Sequence, residues 1–206
     1  DRTGISYAEK KRREEKPEQP LPVEEKLLAD RYDHIGPRER PPLTAPGNPW
    51  GFNMKAPERE FNLGEVYNLS IGRGTLTEED RYKINEHMVQ TIVMLQSLPF
   101  PRHLRRVPEY AGGHHEKMDG TGYPRGLKKE DMSVPARVMA IADIFEALTA
   151  ADRPYKPPKT LSESIKIMRF MVKDRHIDPD LFKLFLESGV YMEYAKQNLK
   201  PEQIDA

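Results

Sequence analysis

Two adjacent histidines, His114 and His115, are followed by Glu116-Lys117-Met118 and then by the glycine-rich turn Asp119-Gly120-Thr121-Gly122-Tyr123-Pro124. Neutral imidazole is the commonest side-chain ligand for transition metals. Neighbouring residues on a helix point about 100° apart, so one short segment can serve two adjacent coordination positions. Gly120 and Gly122 are expected to allow positive φ and a close approach of backbone to a ligand. His87 and Asp143 extend the set to three imidazoles and a carboxylate. That donor set suits Fe, Mn, Zn or Ni rather than Ca or Mg. An ion so held lowers the pKa of water and neutralises a phosphodiester oxygen, the chemistry of metallohydrolases. Spacing alone leaves a second arrangement open, in which the four residues lie on unrelated surfaces.

These residues need helices to carry them. Thr77 followed by Asp80 reads as a helix start, and Ile84, Met88, Thr91 and Leu95 repeat at helical spacing with His87 beside them. The run Leu98-Pro99-Phe100-Pro101 ends that helix. Pro108 opens the next one, which leads through Tyr110 into His114. Ser133 caps a helix bearing Val138, Ile141, Ala142, Phe145 and Leu148, expected to be buried on most of its surface. Asp143 sits in its middle, as a ligand or as a structural carboxylate holding an amide or an arginine. Thr160 with Glu163, and Asp178 with Pro179, mark two further helix starts, and a last helix is read over 191–199. No β alternation stands out. The fold class is all-α, with about five or six helices from Phe61 onward.

The N-terminal part has another character. Lys10 to Lys16 is a run of charge, and many of the 19 prolines lie between Pro17 and Pro57. A short helix is predicted over 23–32, anchored by Leu27 and Leu28. Otherwise residues 1–57 read as an extended arm, flexible or partner-wrapped, and 58–206 as the helical domain. Trp50 and Phe52 are the exception, two aromatics of the kind that anchor a segment on a neighbouring surface. The 33 basic residues equal the 33 acidic ones, so no net field points to nucleic acid. Without cysteine there is neither a disulfide framework nor a thiolate site. No apolar run approaches the ~20 residues of a membrane span. A chain that begins on Asp1 is read as a fragment or a processed product.

Taken together, His114 to Pro124, Ile141-Ala142-Asp143 and Asp152-Arg153-Pro154-Tyr155 resemble the HD-GYP branch of the HD-domain phosphohydrolases. Gly74-Thr75-Leu76-Thr77 is similar to that family's lead-in to the histidine at His87. The resemblance covers residues 72–188. It implies an HD-GYP-like helical bundle and a bacterial, cytoplasmic phosphodiesterase acting on or sensing cyclic di-GMP or a related nucleotide. It also implies His87, His114, His115 and Asp143 as ligands of a divalent transition metal, Fe or Mn with Zn or Ni as alternatives. Tyr123, Arg153, Lys156, Asp119, Gly120 and Gly122 become substrate contacts, and residues 1–57 and the glycine-rich loop become surfaces for a protein partner. The departure lies at the name-giving His-Asp pair. Aligned without gaps, that place holds Glu58-Arg59; with a deletion it holds Tyr67-Asn68, similar to the family's YN variants. His34, the nearest histidine upstream, stands in a Pro-rich setting. One metal ion is therefore expected and the site for a second is incomplete. The alternative is a degenerate member serving as nucleotide sensor, adaptor or structural subunit.

Overall fold

The computed structural model describes residues 6–15, 20–24, 26–151 and 158–205. The chain divides into two compact units, one of Asp1–Ala45 with Lys55–Asn85, the other of Pro46–Met54 with Glu86–Ala206. Compactness thus groups the residues differently from a cut between 57 and 58.

The first unit is built from short pieces. Helix α1 (Tyr7–Glu14) starts at a capping box in which Ser6 and Glu9 satisfy each other's backbone amides. Arg12 reaches from α1 to donate to the Asp33 carbonyl, 2.9 Å from Nη2, and lies over the Phe61 ring. Asp33 and His34 are buried in a 3-10 turn, Tyr32–His34. Two strands follow, β1 (Ile35–Pro37) and β2 (Arg59–Asn62), paired antiparallel. So short a pair carries no alternation that could announce it. The helix predicted over 23–32 is absent among the described residues of that span. Leu27 is 99% exposed and Leu28 55%, so neither has the burial that would offset ordering the backbone. Helix α2 (Glu65–Leu69) completes this unit together with the start of α3 (Glu78–Ser97). Thr77 Oγ1 accepts from the Asp80 amide while Asp80 accepts from the Thr77 amide, the reciprocal cap its sequence announced.

The second unit carries the rest of α3, then α4 (Val107–Gly112), α5 (Val134–Thr149), α6 (Leu161–Lys173), α7 (Pro179–Glu187) and α8 (Val190–Asn198). Ile141 and Phe145 of α5, Leu161 and Met168 of α6, Ile177, Phe182 of α7 and Ala195 of α8 form its main core. Helix α6 has the Thr160–Glu163 capping box, and Asp178 caps α7 by accepting from the Asp180 amide. Asp178 is also buried between Arg137 of α5 and Lys129, which ties the α7 start to α5.

Two faces differ from expectation. The buried stripe of α3 is Met88, Val89 and Ile92, while Ile84 is exposed. The helix is rotated so that Ile92 packs on the backbone of Gly112, where the missing side chain lets α4 come close. Helix α5 buries one face, with Ala136, Ala140, Ile141 and Phe145, and leaves Val138 and Ala142 exposed. Its apolar composition overstated its burial because the neighbours α4, α6 and α7 cover only one side.

Candidate metal centre

Helix α3 supplies His87, which is exposed rather than on the buried stripe, although the next residue, Met88, is fully buried. His114 and His115 follow the end of α4, in a turn closed by the Glu116 amide donating to the Gly113 carbonyl. Each of the three imidazoles offers a nitrogen, and these atoms all lie within 4.8 Å of one another. A common ion about 2.1 Å from each nitrogen needs separations of roughly 3–4 Å, which side-chain rotation supplies. The rings of His87 and His115 meet edge-on at 5.1 Å, and those of His114 and His115 lie 4.4 Å apart.

Protonation suits a ligand role. His114 Nδ1 is 2.7 Å from the Ala111 carbonyl, which can only accept, so Nδ1 carries the hydrogen and in the neutral ring the lone pair is on Nε2. Burial, the neighbouring imidazoles of His114 and His87, and that of His176 lower the His115 pKa to about 4, against the pull of Asp143. His115 is thus neutral, with a lone pair to give, across the physiological range.

Asp143 is exposed on α5 rather than buried, because that helix turns this side outward. Its carboxylate does not belong to the group of nitrogens within 4.8 Å, yet its charge acts on both His115 and Tyr123. Tyr123 is half-buried, its ring stacked on His115 at 4.9 Å with an interplanar angle of 14°. Burial first, then Asp143, raises its hydroxyl pKa. Arg153 and Lys156 lie outside the described residues.

In the turn itself, Asp119 accepts from the Thr121 amide and hydroxyl, at 2.9 and 2.7 Å. Gly120 has φ +82°, a conformation that costs a side-chain-bearing residue. Gly122 has no positive φ, contrary to expectation. It is needed because a Cβ there would overlap the backbone of Glu116 and Lys117, so its close approach is to its own chain.

Sequence reading assigned no role to Glu116, which is fully buried. Its carboxylate accepts from the amides of Arg125 at 2.7 Å and Leu127 at 2.8 Å, pinning the segment after Tyr123. Burial raises its pKa and these amides oppose the rise. A glutamate beside two histidines reads first as another ligand, so only its contacts reveal this task. His176 was also missed. It is half-buried, its pKa lowered by burial and by Lys117, and its charge is felt at His115.

At Tyr67-Asn68, one of the two places an alignment allows for the family's His-Asp pair, Tyr67 donates its hydroxyl to Glu79 at 2.9 Å. Asn68 donates its amide to the carbonyls of Asn62 and Gly64, at 3.0 and 2.7 Å. Both are occupied with structural work inside the first unit.

The family model of the HD domain matches residues 22–181, a span that includes the three histidines and the glycine-rich turn. The chain belongs to that family and, by its His114–Pro124 stretch, to the HD-GYP type of phosphohydrolase domain. Among curated relatives, the 3'3'-cGAMP-specific phosphodiesterase 1 of Vibrio cholerae is 39% identical over 116 residues, 56% of this chain and 26% of the relative. A cyclic di-GMP phosphodiesterase of Thermotoga maritima is 33% identical over 125 residues, 61% of this chain and 33% of its own. One from Pseudomonas aeruginosa is 43% identical over 79 residues, 38% of this chain and 18% of its own. The chain therefore spans a third or less of these proteins. Among the described residues no helix is long and apolar enough to cross a membrane.

Proposed function

We propose that this domain binds a cyclic dinucleotide, cyclic di-GMP or cGAMP, over one divalent transition-metal ion held by His87, His114 and His115. The observation that carries the reading is the convergence of three imidazole nitrogens within 4.8 Å, beside a tyrosine stacked on one of them. Such a set suits Fe, Mn, Zn or Ni. When bound, the ion supplies Lewis acidity to a phosphoryl oxygen. Asp143 adds negative charge next to His115 and balances the ion's charge from α5. Tyr123 offers a ring face and a phenol to base or phosphate. Arg153 and Lys156, by sequence, supply the donors for phosphate, and Asp119, Gly120 and Gly122 shape the turn that presents Tyr123.

Binding without rapid hydrolysis is favoured because neither candidate place for the family's His-Asp pair holds it: one is Glu58-Arg59, and at the other Tyr67 and Asn68 are engaged with Glu79 and with backbone carbonyls. Hydrolysis is the second reading, favoured by the relatives' names as phosphodiesterases. Metal analysis and calorimetry after loading with Mn(II) or Fe(II), with product chromatography, separate the two. One equivalent of metal and nucleotide binding without turnover supports the first. Two equivalents and release of a linear dinucleotide support the second, and a protein that takes up neither metal nor nucleotide ends both. Residues 58–206 form the HD-GYP-like domain in this reading. Residues 1–57 and the glycine-rich loop serve a protein partner, with support from the exposed Leu21, Leu27 and Leu28. An isolated, monomeric chain whose first 57 residues are rapidly digested would argue against that partner.

A further inference from the structure

We propose that residues 46–54 act as a strap that sets the position of the Tyr123 loop, with Asn48 and Arg125 as its positioning residues. This rests on the reading that Tyr123 faces the nucleotide. The strap is shaped by one side chain. Asn48 Nδ2 donates to the Phe52 carbonyl at 2.8 Å, and its Oδ1 accepts from the amides of Phe52 at 2.9 Å and Trp50 at 3.2 Å. This closed turn stacks Trp50 on Phe52, with ring centres 5.8 Å apart, and leaves Phe52 only 5% exposed.

The turn grips the two residues after Tyr123. The Asn53 amide donates to the Pro124 carbonyl at 2.9 Å. Arg125 Nε donates to the Trp50 carbonyl at 2.8 Å, and its guanidinium lies over the Phe52 ring at 5.7 Å. The same Arg125 gives its backbone amide to buried Glu116. The segment following Tyr123 is therefore held by Glu116 on one side and by the strap on the other. Tyr123 keeps its place on His115 through this pair of holds, helped by its own amide donating to the His115 carbonyl at 3.2 Å. None of the strap residues belongs to the histidine cluster. At both ends the strap continues into sequence of the first unit, at Ala45 and Lys55, so that unit is joined covalently to the element that holds the loop.

A purely structural role would make the strap a cover for apolar surface, and its loss would weaken the protein without regard to Tyr123. A positioning role makes its effect pass through Tyr123. Small displacements of a substrate-contacting group are costly, and about a tenfold loss of affinity is expected. The test uses the full chain loaded with Mn(II), as wild type, Asn48→Ala, Arg125→Ala, Tyr123→Ala and Asn48→Ala/Tyr123→Ala. Amide hydrogen exchange over residues 119–128 should quicken in Asn48→Ala and Arg125→Ala, while amides of α5 to α8 and the metal stoichiometry stay as in wild type. Emission of Trp50, the single tryptophan, should shift to the red as the strap opens. Calorimetry with cyclic di-GMP should show about a tenfold weaker affinity in both variants, and no further loss when Asn48→Ala is added to Tyr123→Ala. Unchanged exchange over 119–128, or an equal loss of affinity in the Tyr123→Ala background, overturns the proposal. Should Asn48→Ala fold poorly, Arg125→Ala, alone and with Tyr123→Ala, carries the test: it removes the donor to the Trp50 carbonyl and leaves the Asn48 turn intact. A wild type that binds no cyclic di-GMP would sink the nucleotide reading, while exchange and Trp50 emission would still decide whether the strap holds the loop.

Discussion

Two polar regions of this chain differ in what their side chains do. At His87, His114 and His115, ring nitrogens gather near one another, and the contact of His114 Nδ1 with the Ala111 carbonyl orients its ring without occupying Nε2. At Tyr67 and Asn68, the hydroxyl and the amide are turned to Glu79, Asn62 and Gly64 of the same unit. In the proposed reading the first region receives a metal ion. The second has become part of the fold. Polar side chains thus form a candidate ligand site in one place and serve the fold itself in the other.

The largest expected break in that contrast is Glu116→Ala. It removes the acceptor of two part-buried amides, those of Arg125 and Leu127, at a cost on the order of 3 kcal/mol, and should release the loop; thermal melting and hydrogen exchange check it. Next comes His115→Ala. Removing a ligand should cost metal affinity about 100-fold or more, near 2.7 kcal/mol, as read by competition with a chelating dye. An unchanged affinity would remove the metal from the contrast altogether.

The other half is probed by rebuilding the family pair as Tyr67→His/Asn68→Asp. The replacement removes the amide donors to Asn62 and Gly64, so stability should fall by about 2 kcal/mol in denaturant titration, with no second equivalent of metal. Gain of a second equivalent would show that only two side chains separate the two regions.

Acid should sharpen the contrast more gently. In the metal-free protein His115 has its pKa lowered to about 4 from an ordinary 6.5, so between those values the unfolded chain holds the extra proton. The folded form keeps this contribution in full above pH 6.5 and loses it progressively toward pH 4. A histidine NMR titration should place His115 near 4, and a midpoint close to 6.5 would refute the buried, crowded environment. Asp178 behaves with the same sign lower down. Burial raises its pKa, but Arg137, the Asp180 amide and Lys129 outweigh that and hold it low, so its contribution is lost only as pH falls below the ordinary carboxylate range. The smallest effect belongs to Arg106→Ala at the start of α4. Its bond to Glu109 is exposed, so stability should change by about 0.5 kcal/mol or less, with metal affinity unchanged.

Legibility followed distance along the chain. The starts of α3, α6 and α7 were readable because each cap closes within three residues, Thr77 with Asp80, Thr160 with Glu163 and Asp178 with the amides after it. The inner face of α3 was not readable, since Gly112 of α4 decides which residues meet a neighbour. Nor could composition show that α5 is covered on one side, leaving Asp143 exposed. Leu27 and Leu28 looked like helix anchors and lie in solvent, because anchoring needs a partner surface. Trp50 and Phe52 were expected to hold a neighbouring surface, and that surface proves to be the loop after Tyr123.

By itself the sequence determined the all-α class, the helix starts and the family, because these rest on local hydrogen bonds, periodicity and one unbroken stretch of motif. Only the tertiary structure decided that His87 meets the tandem histidines, that Glu116 is a scaffold, and that residues 46–54 close over the loop. Each of those depends on contacts between segments far apart in the chain, whose geometry is set by how helices pack rather than by any residue's own preference.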